Sequence, residues 1–202
     1  MRLPVAGPSP PAAGITPSPP SPPGLHLDTA RLVHDGTVAP VRVLVLADTH
    51  LGADLGKLPA PVWDAVQAAD VVLHAGDVVT ADLLDALRSR RPVHAVLGNN
   101  DRALACSLPD RLEVELGGVR VGMVHDAGPR GGRERRVRRW FPRAGIVVFG
   151  HSHEPVDALG EDGQRLFNPG SAVQRRRQPQ RTMGRLELAG GEIVGHAIVP
   201  LP

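Results

Sequence analysis

The chain has one cysteine, Cys106, in 202 residues. That excludes an intramolecular disulfide and any zinc cage built from thiolates. Tyrosine is absent, and only three Phe and two Trp are present, so there is little with which to stack the bases of single-stranded nucleic acid. No apolar run approaches the ~20 residues needed to cross a bilayer. Lys57 is the only lysine; the remaining cations are arginines, with a net charge of +2 and a pI of about 9.4. Together these absences predict a soluble cytoplasmic protein with no membrane contact. Unpaired strand edges leave a dimer open, and nothing in the composition calls for nucleic acid.

Proline is abundant, and it is unevenly spread. Residues 1–24 hold nine of the 21 prolines, with Ser, Gly and Ala between them. Such a segment buries too little apolar surface to offset its ordering entropy. Met1-Arg2 leads into prolines rather than an apolar stretch, so no secretory signal is expected. The expected organisation is a proline-rich, mostly disordered tail over residues 1–38 and a single domain over residues 39–202.

Within that domain the hydrophobic pattern alternates between two periods. Runs of β-branched and apolar residues over 41–47, 71–75 and 93–97 predict buried strands. Helical spacing of Val62, Trp63, Val66 and Ala69 predicts a helix opened by Pro61. A second helix carries Leu83, Leu84 and Leu87, with Thr80 as its cap. This alternation predicts parallel strands with right-handed crossovers. Residues 111–116 and 119–124 then form a hairpin around Gly117-Gly118. A helix over 132–141 and a strand over 146–149 follow. Strands over 165–168, 184–188 and 193–199 are expected to close an antiparallel meander. The fold class expected is α/β, with two mixed sheets packed as a sandwich between flanking helices.

Six short islands put metal-binding residue types at the ends of these runs. They are Asp48-Thr49-His50, Gly76-Asp77, Gly98-Asn99-Asn100-Asp101, His125-Asp126, Gly150-His151-Ser152-His153 and Asn168-Pro169-Gly170-Ser171. Sites in such sheets lie beyond the carboxyl ends of parallel strands, where loops converge. Asp48, His50, Asp77, Asn99, His125, His151 and His153 can therefore meet, though they span 106 positions. A carboxylate such as Asp77 can bridge two cations, and imidazoles suit manganese, zinc, iron or nickel. Paired ions about 3.5–4 Å apart activate water against a phosphoester.

The order Asp-x-His, Gly-Asp, Gly-Asn-x-Asp, His, Gly-His-x-His resembles the calcineurin-like metallophosphoesterases. Together with Asn168-Pro169-Gly170-Ser171 it is similar to their compact bacterial and archaeal phosphodiesterase branch, over residues 41–199. The resemblance implies a four-layer αββα fold and two divalent ions, Mn2+ foremost, with Zn2+, Fe2+ or Ni2+ as alternatives. It implies that Asp48, His50 and His153 hold one ion, that Asn99, His125 and His151 hold the other, and that Asp77 bridges both. The residues expected to bear on catalysis are Asp77, Asn99, Asn100, Asp101 and His125, with Asp101 orienting the loop. Gly76, Gly98 and Gly150 would let the backbone turn beside the ions, and the Asn168–Ser171 segment would be structural. Larger members carry a histidine where this chain has Asn100, and Asp126 is a second departure, expected to accept a hydrogen bond behind the ligands.

The activity implied is hydrolysis of a small phosphoester, a phosphodiester first, by hydroxide activated at a dinuclear centre. The alternative is a non-catalytic protein-interaction scaffold, because the retromer scaffold subunit resembles the same branch. His26, His34, His94 and His196 are read as ordinary packing or surface groups, and His74 as a packing residue near the site. Arg133, Arg135, Arg136, Arg138 and Arg139 are expected on a solvated helix face, with phosphate steering as the functional alternative. Arg175, Arg176, Arg177 and Arg181 would extend such a surface.

Overall fold

Alternate side chains of one strand feed two different cores. In β1 (Val41–Leu46), Val41, Val43 and Val45 face one way, and Leu44 and Leu46 the other. All five are buried, as the period of two requires for a strand covered on both faces. A computed structural model describes residues 39–202; the expected proline-rich tail, with His26 and His34, lies outside the described residues.

The first sheet has the order β10-β9-β1-β2-β3. Its parallel strands are β1, β2 (Val71–His74) and β3 (Val93–Ala95), joined by α1 (Ala60–Ala68) and α2 (Ala81–Arg88). The helices cover the Leu44/Leu46 face with Val62, Val66, Leu83, Leu84 and Leu87. The second sheet has the order β4-β5-β6-β8-β7. It opens with the hairpin β4 (Arg111–Leu116) and β5 (Val119–Val124), then adds β6 (Ile146–Val148) and β8 (Arg165–Asn168) parallel to β5. Between the sheets lie Val43, Val45, Leu73, Val121, Met123, Ile146, Val148 and Phe167. On the far side α3 (Arg133–Trp140) packs Val137, followed by Phe141, against Val147, Phe149 and Leu166. The result is the expected four layers, α-β-β-α.

The closing strands depart from the expected meander. β8 lies in the second sheet, whereas β9 (Arg181–Ala189) and β10 (Glu192–Leu201) form a hairpin on the first, with β9 antiparallel to β1. Residues 169–180 carry the chain from one sheet to the other. An additional strand, β7 (Val156–Leu159), edges the second sheet beside β8. Its last three residues are exposed, so no apolar alternation announced it. β3 stops at Ala95, because the Leu97 N–H pairs with the Pro109 carbonyl rather than a sheet neighbour. Thr80 stands at the α2 N-cap position, yet its hydroxyl makes no capping bond.

Candidate metal centre

The carboxyl ends of β1, β2, β5 and β6, with the loop after β3, open onto one region, and backbone bonds lock their loops together. The Asp48 N–H donates to Gly76 O at 3.0 Å, His50 N–H to Asp77 O at 2.9 Å, and Gly150 N–H to His125 O at 2.9 Å. The His125 ring crosses between the sheets to Ala75 O, with Nδ1 at 2.7 Å. A carbonyl only accepts, so Nδ1 carries a proton and Nε2 faces outward, bare in the neutral ring and protonated in the charged one.

That nitrogen meets acceptors. His125 Nε2 lies 3.4 Å from Asp77 Oδ2 and 3.0 Å from Asn99 Oδ1. His151 Nδ1 is also 3.0 Å from Asn99 Oδ1. On the other side of Asp77, His50 Nε2 is 3.4 Å from the same Oδ2. His50 Nε2 and His153 Nε2 face each other at 3.1 Å, and His153 Nε2 lies 3.4 Å from Asp48 Oδ1. His153 Nδ1 donates to the Gln174 carbonyl, which fixes its tautomer as well. Asp48 Oδ2 is buried with no hydrogen-bond partner among the described residues. All seven sequence-expected ligands thus converge, in a region rich in acceptors and poor in donors. Two groups could each hold a cation, Asp48-His50-His153 and Asp48-Asp77-His125, with the ligand atoms of each group within 4.8 Å of one another.

The electrostatics follow from that crowding. Burial raises the Asp48 carboxyl to about 7, although His125 and the Asp48 contact with the His151 N–H oppose it. Burial works against ionised Asp77 too, but donors from His125 and Asn100 outweigh it and hold the carboxyl well below the usual range. Burial lowers His50, and takes His153 down to about 4. His125 moves the other way: burial opposes its charge, yet Asp77 and the Ala75 carbonyl favour the protonated ring.

Backbone strain gathers at the candidate ligands. Asp48, His50, Asp77, His151 and His153 all have positive φ, between 47° and 70°. L-residues seldom adopt this region, and such strain persists only where surrounding structure enforces it. Asp101 supplies part of the enforcement. Its buried carboxylate accepts from Asp77 N (2.9 Å), Val79 N (2.6 Å) and Gly98 N (2.8 Å). Asn100 donates through its backbone and side-chain amides to Asp77 at 2.8 and 2.7 Å. Ser171 donates to Asp48 O at 2.7 Å and Asn168 to Gly150 O at 3.0 Å, so the Asn168–Ser171 segment braces both ligand loops.

The glycines act in two ways. Gly76 has φ +85°, a turn that favours glycine. Gly98 does not; a Cβ there would collide with Asp77 N and Oδ1, so its role is close approach.

The sequence profile of the calcineurin-like phosphoesterase superfamily domain matches residues 41–191. The chain belongs to that superfamily. It is 34% identical over 146 residues to a probable metallophosphoesterase of Methanothermobacter thermautotrophicus, spanning 71% of this chain and 84% of the relative. Among solved structures it resembles Vacuolar Protein Sorting 29 from Cryptosporidium parvum, with TM-score 0.68, 20% identity, and coverage of 81% and 93% of the two chains. A predicted phosphoesterase from Streptococcus pneumoniae aligns with TM-score 0.63 and 24% identity over 80% and 90%. These structural likenesses speak for the fold.

Several features of this superfamily member differ from the sequence expectation. Asp126 does not back a ligand; its carboxylate caps its own loop through Gly128 N at 2.6 Å. The α3 arginines form the expected solvated face only in part: Arg135 and Arg139 are exposed, the other three half-buried. Arg133 and Arg136 donate to the carbonyls of Gly128, Ala127 and Pro129, while Arg135 and Arg138 lie against Glu161 and Asp162. His74, by contrast, packs near the site as expected: it is fully buried, with Nε2 3.1 Å from the Thr49 hydroxyl, which in turn reaches Asp77 O at 3.4 Å. Burial takes His74 down to about 3. Gln174, whose carbonyl orients His153, went unnoticed in the sequence because a main-chain acceptor carries no residue signature.

Proposed function

We propose that the chain is a metal-dependent phosphoesterase acting on a small phosphodiester at a dinuclear centre, in the cytoplasm. The observation that carries this reading is the surplus of acceptors around Asp48 and Asp77. Asp48 Oδ2 lacks a donor among the described residues, and the His50 and His153 Nε2 atoms oppose each other at 3.1 Å. Acceptors so crowded require a cation or shared protons between them.

Asp48, His50 and His153 would hold one divalent ion, Asn99, His125 and His151 the other, and Asp77 would be shared. Mixed oxygen and imidazole donors suit Mn2+ first, with Zn2+, Fe2+ and Ni2+ as alternatives. When bound, such ions polarise a phosphoryl oxygen and acidify water. The protein's own part is orientation. His125 and His153 are tautomer-locked by Ala75 and Gln174, which keeps their Nε2 lone pairs free to ligate. Asp101 holds the Asp77 and Gly98 backbones in register. The exposed Asn100 amide beside Asp77 is a donor suited to a phosphoryl oxygen. It cannot serve as a general acid, so the substrate needs a leaving group that departs without one.

A protein-interaction scaffold is the second reading, suggested by the fold it shares with Vacuolar Protein Sorting 29. A scaffold gains nothing from strained, mutually repelling ligands, and this favours the hydrolase. The test is hydrolysis of bis(4-nitrophenyl) phosphate after chelation and return of Mn2+. Asp77→Ala or His151→Ala should reduce turnover at least about a hundredfold. Full activity in the metal-free protein refutes the proposal.

A further inference from the structure

Several arginines among the described residues are occupied in holding the fold. Arg42 pairs with Asp70, Arg120 with Glu113, Arg165 with Asp157, and Arg133 and Arg136 grip the 127–129 carbonyls. Arg176 is different. Its side chain is exposed, no carboxylate pairs with it among the described residues, and its Nη1 donates to the carbonyl of His151 at 3.2 Å. It is therefore a cation fixed at the rim of the candidate metal centre.

Two further observations tie it there. The backbone at Arg176 has φ +48°, the strained region that five of the proposed ligands share. Two residues earlier, Gln174 is bound to the centre from both sides. Its N–H donates to Ser171 Oγ at 2.9 Å, itself bonded to Asp48 O, and its carbonyl accepts from the His153 Nδ1–H. Neighbouring Arg175 turns away, onto the carbonyls of Gln178 and Pro179.

We propose that Arg176 contacts the substrate, its guanidinium taking a non-bridging oxygen of the phosphate. This rests on the phosphoesterase reading and assigns the anionic end of the substrate to the rim formed by His151 and Arg176. One N–H is committed to His151 O; the rest of the planar fork remains for phosphate oxygens, a match that Lys reproduces only as a point charge.

The test uses the full chain loaded with Mn2+, and compares Arg176→Gln, Arg176→Lys and Arg177→Gln. Metal content, the affinity for inorganic phosphate by calorimetry, and KM and kcat on bis(4-nitrophenyl) phosphate are measured. Arg176→Gln should keep its metal, weaken phosphate binding about tenfold or more, and raise KM more than it lowers kcat. Arg176→Lys should recover part of the loss, and Arg177→Gln should match the parent. The proposal is overturned if Arg176→Gln binds phosphate within about twofold of the parent. It is equally overturned if Arg177→Gln weakens binding as much, or if Arg176→Gln loses its metal in step with phosphate. A parent that binds phosphate but hydrolyses nothing removes the phosphoesterase reading alone, and the phosphate affinities still decide for Arg176. A metal-loaded parent that binds no phosphate overturns the proposal outright.

Discussion

The Nε2 atoms of His50 and His153 oppose each other at 3.1 Å, although the residues lie 103 positions apart. His153 gives its Nδ1 proton to Gln174 O, so its Nε2 offers a lone pair. Without a cation, a proton must stand between the rings; a cation there would be within reach of both nitrogens.

Replacing either partner should therefore cost metal rather than fold. His153→Ala is expected to lose about one ion per chain and at least a hundredfold in affinity for the weaker ion. Elemental analysis after dialysis, with a calorimetric titration, checks this. Undiminished binding of both ions would remove His153 from the ligand set.

Asp101 touches no proposed ligand atom, yet three N–H groups depend on its carboxylate. Asp101→Ala leaves them buried without acceptors, which should lower stability by about 3 kcal/mol or more. Asp101→Asn should fall between the variant and the parent. Urea unfolding of the metal-free proteins measures the loss; a change below about 1 kcal/mol contradicts this account of the loop.

How far the sequence could be read depended on which signals are local. Asp48, Asp77, His125 and His151 were legible because each follows an apolar run, and parallel strands deliver their carboxyl ends to a shared edge. The strands over 181–189 and 192–201 were legible as a hairpin, but their sheet was not. The choice between pairing with β8 and with β1 is made by contacts far apart in the chain. β7 escaped because Asp157, Ala158 and Leu159 are exposed and carry no alternation. Asp126 and Arg136 were misjudged for one reason: their partners are backbone groups of a loop, which composition does not display.

His74 is held neutral by burial, with its pKa at about 3 in the fold against 6.5 as the ordinary value. A depressed folded pKa means that protonation favours the unfolded chain. The stability this group contributes is complete above pH 6.5 and is lost as pH falls toward 3. In the metal-free protein, His74→Gln should therefore flatten the fall in stability between pH 6.5 and 3 relative to the parent. Urea midpoints across that range give the comparison, and parallel curves would contradict it.

The most direct measurement is a titration of the chelated chain with Mn2+, followed simultaneously by bound metal and by hydrolysis of bis(4-nitrophenyl) phosphate. The account predicts two ions per chain, turnover rising with their uptake, and neither property in full for Asp77→Ala. Hydrolysis by the metal-free chain, or a folded protein that takes up no ion, would contradict it.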